Sequence, residues 1–242
     1  MRIVLAFLVL WPQSPPGFTF DGDRWTWTDG TRTVKGILLK PEGKGPFPAV
    51  LISHGLGGSA ETFSRQKARD FVSWGLVCVA CDYTHADGKA DRRSFGSSPE
   101  NLARANVCLE LLASLKEVDG KRIGAYGNSM GAFLTIGLTA ALPDRIAAAA
   151  ITAGGISEAA GFPAPSAEEA AKIRTPFLIL HGTKDTTVPP ERSVLLKDVL
   201  DRQKVANERR TFEGVGHNLH QEKAEEVQKL IKEWFQKKLS SP

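Results

Sequence analysis

Gly127-Asn128-Ser129-Met130-Gly131 stands between an apolar strand-like run, Ile123 to Tyr126, and an apolar helix-like run, Ala132 to Leu142. A serine flanked by glycines at a strand-to-helix junction is the pattern of a nucleophile elbow. The turn is so tight that a Cβ on either flank has no room, and it pushes the Ser129 hydroxyl into the open. A chain with 23 glycines meets Gly-x-Ser-x-Gly by chance often enough that the motif stays a hypothesis until the serine has partners.

An acyl-transfer serine needs a histidine to take its proton, a carboxylate to orient the imidazole, and donors for the oxyanion. Downstream, the run Phe177 to Leu180 leads into His181-Gly182-Thr183-Lys184-Asp185-Thr186-Thr187-Val188-Pro189, so Asp185 lies just past the end of a strand. Arg210 to Phe212 then leads into Glu213-Gly214-Val215-Gly216-His217. Upstream, Ala49 to Ile52 runs into Ser53-His54-Gly55-Leu56-Gly57-Gly58, a loop flexible enough to aim backbone N–H groups at an oxyanion. Open α/β sheets carry their functional residues at the carboxyl ends of strands. An aspartate after a strand is by itself usually a turn or capping residue, and a histidine beside glycine a loop residue. Their conjunction in the order Ser, Asp, His points to a triad of Ser129, Asp185 and His217.

These stretches together resemble the α/β-hydrolase superfamily, and most closely its dienelactone hydrolase-like branch, over about Thr33 to Leu239. The resemblance implies Ser129 as nucleophile, Asp185 as acid, His217 as base, and the N–H groups of Leu56 and Met130 as the oxyanion hole. Dienelactone hydrolases themselves carry a cysteine at the elbow, so Ser129 points to ordinary esters instead of dienelactone. Prolyl oligopeptidase-like members have a second glycine after the elbow, where this chain has Ala132.

The 242 residues are enough for one large core, and 42% apolar with 24% charged residues is ordinary globular composition. We therefore expect one catalytic domain over residues 18–242. A net charge of +4 spread over scattered and paired basic residues gives no stripe for nucleic acid. The three cysteines have no metal-ligand spacing. Cys78 and Cys81 fall on opposite faces of one strand, and with Cys108 they read as small core residues. No cofactor and no metal is expected, and the sequence says nothing of oligomeric state. Met1-Arg2, the apolar run Ile3 to Trp11 and the break at Pro12 to Gly17 fit a secretory signal, which implies a secreted or periplasmic enzyme without a membrane anchor. The alternative is a hydrophobic extension of a cytoplasmic enzyme.

The rest of the chain reads as a doubly wound, mostly parallel sheet with helices on both faces. A leading hairpin, Arg24 to Thr28 and Thr33 to Leu39, turns at Asp29-Gly30. Further strands are expected at Leu76 to Cys81 and Ile146 to Thr152, and helices at Glu61 to Trp74, Pro99 to Lys116, Met130 to Leu142 and Glu191 to Lys204. A last helix, Glu222 to Leu239, carries Val227, Leu230, Ile231, Trp234 and Phe235 on one docking stripe. Between the strand after the elbow helix and the strand bearing Asp185, only Ala153 to Arg174 is inserted, which is enough for a loop and one short helix but not for a large cap. In the other loop at the mouth, Asp82 to Ser98, Tyr83 and His85 are candidate substrate contacts. The expected substrate is a small carboxylic ester. A carbohydrate-acetyl esterase, a peptidase, and a non-catalytic binding protein on the same fold are the alternatives.

Overall fold

The structure, a computed structural model, describes residues 17–86, 88–158 and 160–240. Apart from Gly17, the segment read above as a secretory signal lies outside the described residues. Among them, chain order gives β1 (Phe18–Asp21), β2 (Arg24–Thr28), β3 (Thr33–Leu39), β4 (Phe47–Ser53), α1 (Arg65–Val72), β5 (Val77–Cys81), α2 (Pro99–Ser114) and β6 (Val118–Asn128). Then follow α3 (Met130–Ala141), β7 (Ala148–Thr152), α4 (Ala167–Ala170), β8 (Phe177–Gly182), α5 (Glu191–Arg202), β9 (Asn207–Phe212), α6 (Leu219–Glu222) and α7 (Ala224–Lys238).

The strands form one sheet in the order β1-β2-β3-β5-β4-β6-β7-β8-β9. The first three are antiparallel, β3 is antiparallel to β5, and every pair from β5 to β9 is parallel. Parallel strands are covered on both faces, which is why β5, β7 and β8 are continuous small and apolar runs, buried at every position. Their period of two divides the core. Val50, Ile52, Tyr126, Ala150 and Leu178 face one way, toward Phe71 of α1 and the Val227, Ile231, Trp234 and Phe235 stripe of α7. Ala49, Leu51 and Ala125 face α2, and Ile151 and Ile179 face Ile136 of α3 and Leu196 of α5. The stripe on α7 is thus the docking face its spacing announces. Cys78 lies in one layer and Cys81 and Cys108 in the other, all three buried and free.

Several elements differ from expectation. β1 is an added edge strand paired to β2, too short and too exposed to show a pattern of its own. β6 starts at Val118, whose pairing with Phe47 is displaced by an irregularity from the main β4–β6 register, and β7 starts two residues late, at Ala148. The first helix opens as one π-helical turn, Ala60–Ser64, with Ser59 and Thr62 forming a reciprocal capping pair at its start. The segment between β7 and β8 holds α4 and no other helix or strand among the described residues, so no cap domain covers the strand ends. Among the described residues, no helix is long and apolar enough to cross a membrane.

Candidate active site

The elbow is built by what lies on either side of Ser129. A Cβ at Gly127 would lie 2.2 Å from the Gly131 carbonyl, and one at Gly131 would lie 2.1 Å from the Ser53 carbonyl, so neither position admits a side chain. Ser129 itself takes φ 53° and ψ −117°, a conformation that costs an L-residue on the order of 1–3 kcal/mol. It is held there by its N–H donating to the Thr152 carbonyl at 2.9 Å and by its own carbonyl accepting from Ala132 at 2.9 Å, the first turn of α3.

At the end of β8, Asp185 is 3% exposed, and its Oδ1 accepts from the N–H groups of Thr187 (2.9 Å) and Val188 (2.8 Å). Those two bonds fix the carboxylate plane and leave Oδ2 for His217, whose Nδ1–H donates to it at 2.8 Å. This sets the tautomer: His217 Nε2 is the acceptor for the Ser129 hydroxyl, 2.9 Å away. Beneath Asp185, fully buried His181 donates from Nε2 to the Val188 carbonyl at 2.9 Å, and the same nitrogen lies 3.2 Å from Asp185 Oδ2. Burial holds that imidazole neutral, with its pKa below the usual value.

The loop from Ser53 to Gly58 closes over the other side of the serine, and a Cβ on Gly55 would lie 3.2 Å from that of Ser129. Gly57 donates to the His85 carbonyl at 3.1 Å and Gly58 to the Gly55 carbonyl at 3.1 Å. Leu56 sits at the crest between them, 54% exposed. Met130 is the first residue of α3, where an N–H has no carbonyl within its own helix to meet. Leu56 and Met130 thus come from separate elements that both adjoin Ser129. Among the described residues, no group of three or more His, Cys, Asp or Glu side chains is placed to hold a metal ion.

This arrangement, on this sheet, agrees with the match of a family model to residues 34–239, that of the dienelactone hydrolase family. The chain belongs to that family. It is 26% identical over 138 residues to the quorum-quenching protein AidA of Acinetobacter baumannii, covering 57% of this chain and 43% of AidA. It is 28% identical over 121 residues to the esterase FrsA of Escherichia fergusonii, covering 50% of this chain and 28% of FrsA. This member of the dienelactone hydrolase family thus spans less than half the length of either relative. The fold matches a cold-adapted esterase from an Arctic intertidal metagenomic library with a TM-score of 0.71 at 21% identity, covering 95% of this chain and all of that one.

Two candidate residues fall elsewhere. Tyr83 and His85 are 2% and 0% exposed and lie under the Ser53–Gly58 loop, so neither side chain offers a surface to substrate. Tyr83 Oη is 3.0 Å from Ser53 Oγ, and the Tyr83 N–H donates to His54 Nε2 at 3.2 Å. His85 donates from Nε2 to the His54 carbonyl at 3.1 Å and accepts at Nδ1 from Asn101 Nδ2 at 3.3 Å. Burial, and then His54 beside it, push the His85 pKa down to about 3. The pair brace the loop from below. Two further groups at the site are Asn128 and His220, linked through Tyr126 and Thr152. A histidine three residues after His217 was visible in the sequence, but nothing there showed which way it faced.

Proposed function

We propose that this member of the dienelactone hydrolase family is a serine esterase that cleaves short-chain carboxylic esters through an acyl-enzyme. The observation that carries the reading is the continuous bond sequence Asp185 Oδ2, His217 and Ser129 Oγ, at 2.8 and 2.9 Å. As Ser129 Oγ attacks the ester carbon, its proton passes to His217 Nε2, and the imidazolium is stabilised by Asp185. The carbonyl oxygen takes the negative charge between the N–H groups of Leu56 and Met130. His217 then returns the proton to the departing alcohol, and a water activated by the same imidazole releases the acid.

The short insertion supports small acyl groups. Each buried methylene contributes about 0.8 kcal/mol only if it meets an apolar wall, and residues 153–174 supply one four-residue helix. On p-nitrophenyl esters kept below their aggregation limit, kcat/KM is expected to peak at acetyl to butyryl and to fall by octanoyl. A maximum at decanoyl or longer would contradict the short-chain assignment. Ser129→Ala and His217→Ala should each lower kcat by about 10⁶, and Asp185→Ala by about 10⁴, the scale seen when members of such a triad are removed.

A further inference from the structure

A cavity of about 290 Å³ opens beside His217, and neither Leu56 nor Met130 lines it. Resting on the esterase reading above, we infer that this cavity is the leaving-group subsite and that it takes a polyhydroxylated alcohol, a single sugar ring or its like. The side follows from the chemistry. When the bond between the acyl carbon and the alcohol oxygen breaks, the acyl group stays on Ser129 Oγ and His217 gives its proton to the alcohol oxygen, so the alcohol lies against the imidazole. The cavity is walled by His217 and the turn that follows it, and by the start of α1.

Its lining decides the class. Four amides, Gln66, Asn128, Asn218 and Gln221, meet there with Lys67 and the ring of Phe63, and no carboxylate lines it. An amide offers both a donor and an acceptor, and a hydroxyl group needs both. An apolar alcohol laid over those amides would take them from water with no partner in exchange, at about 1–3 kcal/mol for each one it covers fully. An anion would use only their donors and face their carbonyl oxygens. The one cation, Lys67, already faces Asp70 at 3.8 Å. Phe63 offers the apolar surface that the C–H face of a sugar ring requires, and the volume suits one ring, not a chain of them.

Asn128 is aimed by a relay. Thr152 Oγ1 donates to Asn128 Oδ1 at 2.8 Å, so the 2.9 Å contact between Tyr126 Oη and Thr152 Oγ1 needs the tyrosine proton. His220 Nε2–H must then donate to Tyr126 Oη. His220 Nε2 also lies 3.3 Å from Thr152 Oγ1, within reach of the same proton; the Asn128 oxygen is used, which leaves its Nδ2, close to Gly55, as the free donor of that amide. His220 is neutral throughout, its pKa pushed down to about 3 by burial and then by Lys67.

The test is acetate release from three esters that share the acetyl group and differ in the chemistry of the alcohol: methyl 6-O-acetyl-glucopyranoside, cyclohexylmethyl acetate and O-acetyl-lactate, with p-nitrophenyl acetate as the reference. We expect kcat/KM for the sugar ester to exceed that for cyclohexylmethyl acetate by at least about tenfold. In Gln66→Ala and Asn218→Ala, both at exposed positions, the ratio of kcat/KM for the sugar ester to that for p-nitrophenyl acetate should fall about fivefold or more, chiefly through KM. A faster cyclohexylmethyl ester, a faster acetyl-lactate, or an unmoved ratio in both variants would overturn the subsite while leaving the esterase reading intact. Failure to hydrolyse any of the four esters would overturn both.

Discussion

Ser129 sits where glycine would be more comfortable. Its φ of 53° is kept because the neighbouring glycines, the Thr152 carbonyl and the first turn of α3 leave the backbone no other path. The strain is the cost of exposing the hydroxyl to His217. It can be read by comparing two inactive variants that both lack the hydroxyl, Ser129→Gly and Ser129→Ala. Relief of about 1–3 kcal/mol of strain outweighs the roughly 0.5–1 kcal/mol that glycine loses in backbone entropy. Ser129→Gly should therefore be the more stable by about 1 kcal/mol, or about 2–4 °C in Tm by calorimetry for a domain of this size. Equal midpoints, or a more stable alanine variant, would show that the elbow stores no strain. Ser129, Asp185 and His217, which lie in hydrogen-bond contact, are singled out by the sequence because each stands where a strand ends. The roles of Tyr83 and His85 are not. Polar residues in a loop read as solvated, and only the tertiary structure brings Ser53, His54 and Asn101 to pair with them.

The Ser53–Gly58 loop is an element held from beneath. Asn101 on α2 is fully buried; its Nδ2 reaches the carbonyls of Ser94 (3.0 Å) and Gly96 (3.1 Å) as well as His85, and its Oδ1 accepts from the Thr84 N–H (3.0 Å) and hydroxyl (3.1 Å). His85 passes that rigidity upward through its bonds to His54 and Gly57. Asn101→Ala strands several buried groups and should cost at least about 3 kcal/mol in urea unfolding. If the network also fixes the direction of the Leu56 N–H, kcat should fall about tenfold or more with KM nearly unchanged, since an oxyanion donor acts chiefly in the transition state. A loss of stability with kcat intact would make the network structural only. The same distinction explains which elements were legible. β4, β5 and β8 show as unbroken apolar runs because both faces are covered. β1 owes its existence to its pairing with β2 and carries no burial pattern to read.

At the scale of the whole molecule, the histidines set the response to acid. Four of the five, His54, His85, His181 and His220, have pKa values lowered mainly by burial, those of His85 and His220 to about 3. The unfolded chain protonates the same imidazoles near about 6.5. Below that pH it binds protons the folded state refuses, so the stability present above about 6.5 is lost as pH falls toward 3. Each such imidazole removes at most about 1.4 kcal/mol per pH unit. Tm should therefore be steady above neutrality and drop steeply between pH 6 and 4; a flat profile would mean that these imidazoles are solvated. On the proposed function, the fold holds Ser129 as a base-activated nucleophile. An oriented hydroxyl with a neutral imidazole beside it reacts with a fluorophosphonate near neutral pH, and an ordinary serine does not. Intact-mass and peptide analysis after labelling should give one adduct per chain, on Ser129, and none in His217→Ala. No adduct, or an adduct on another serine, would contradict the account.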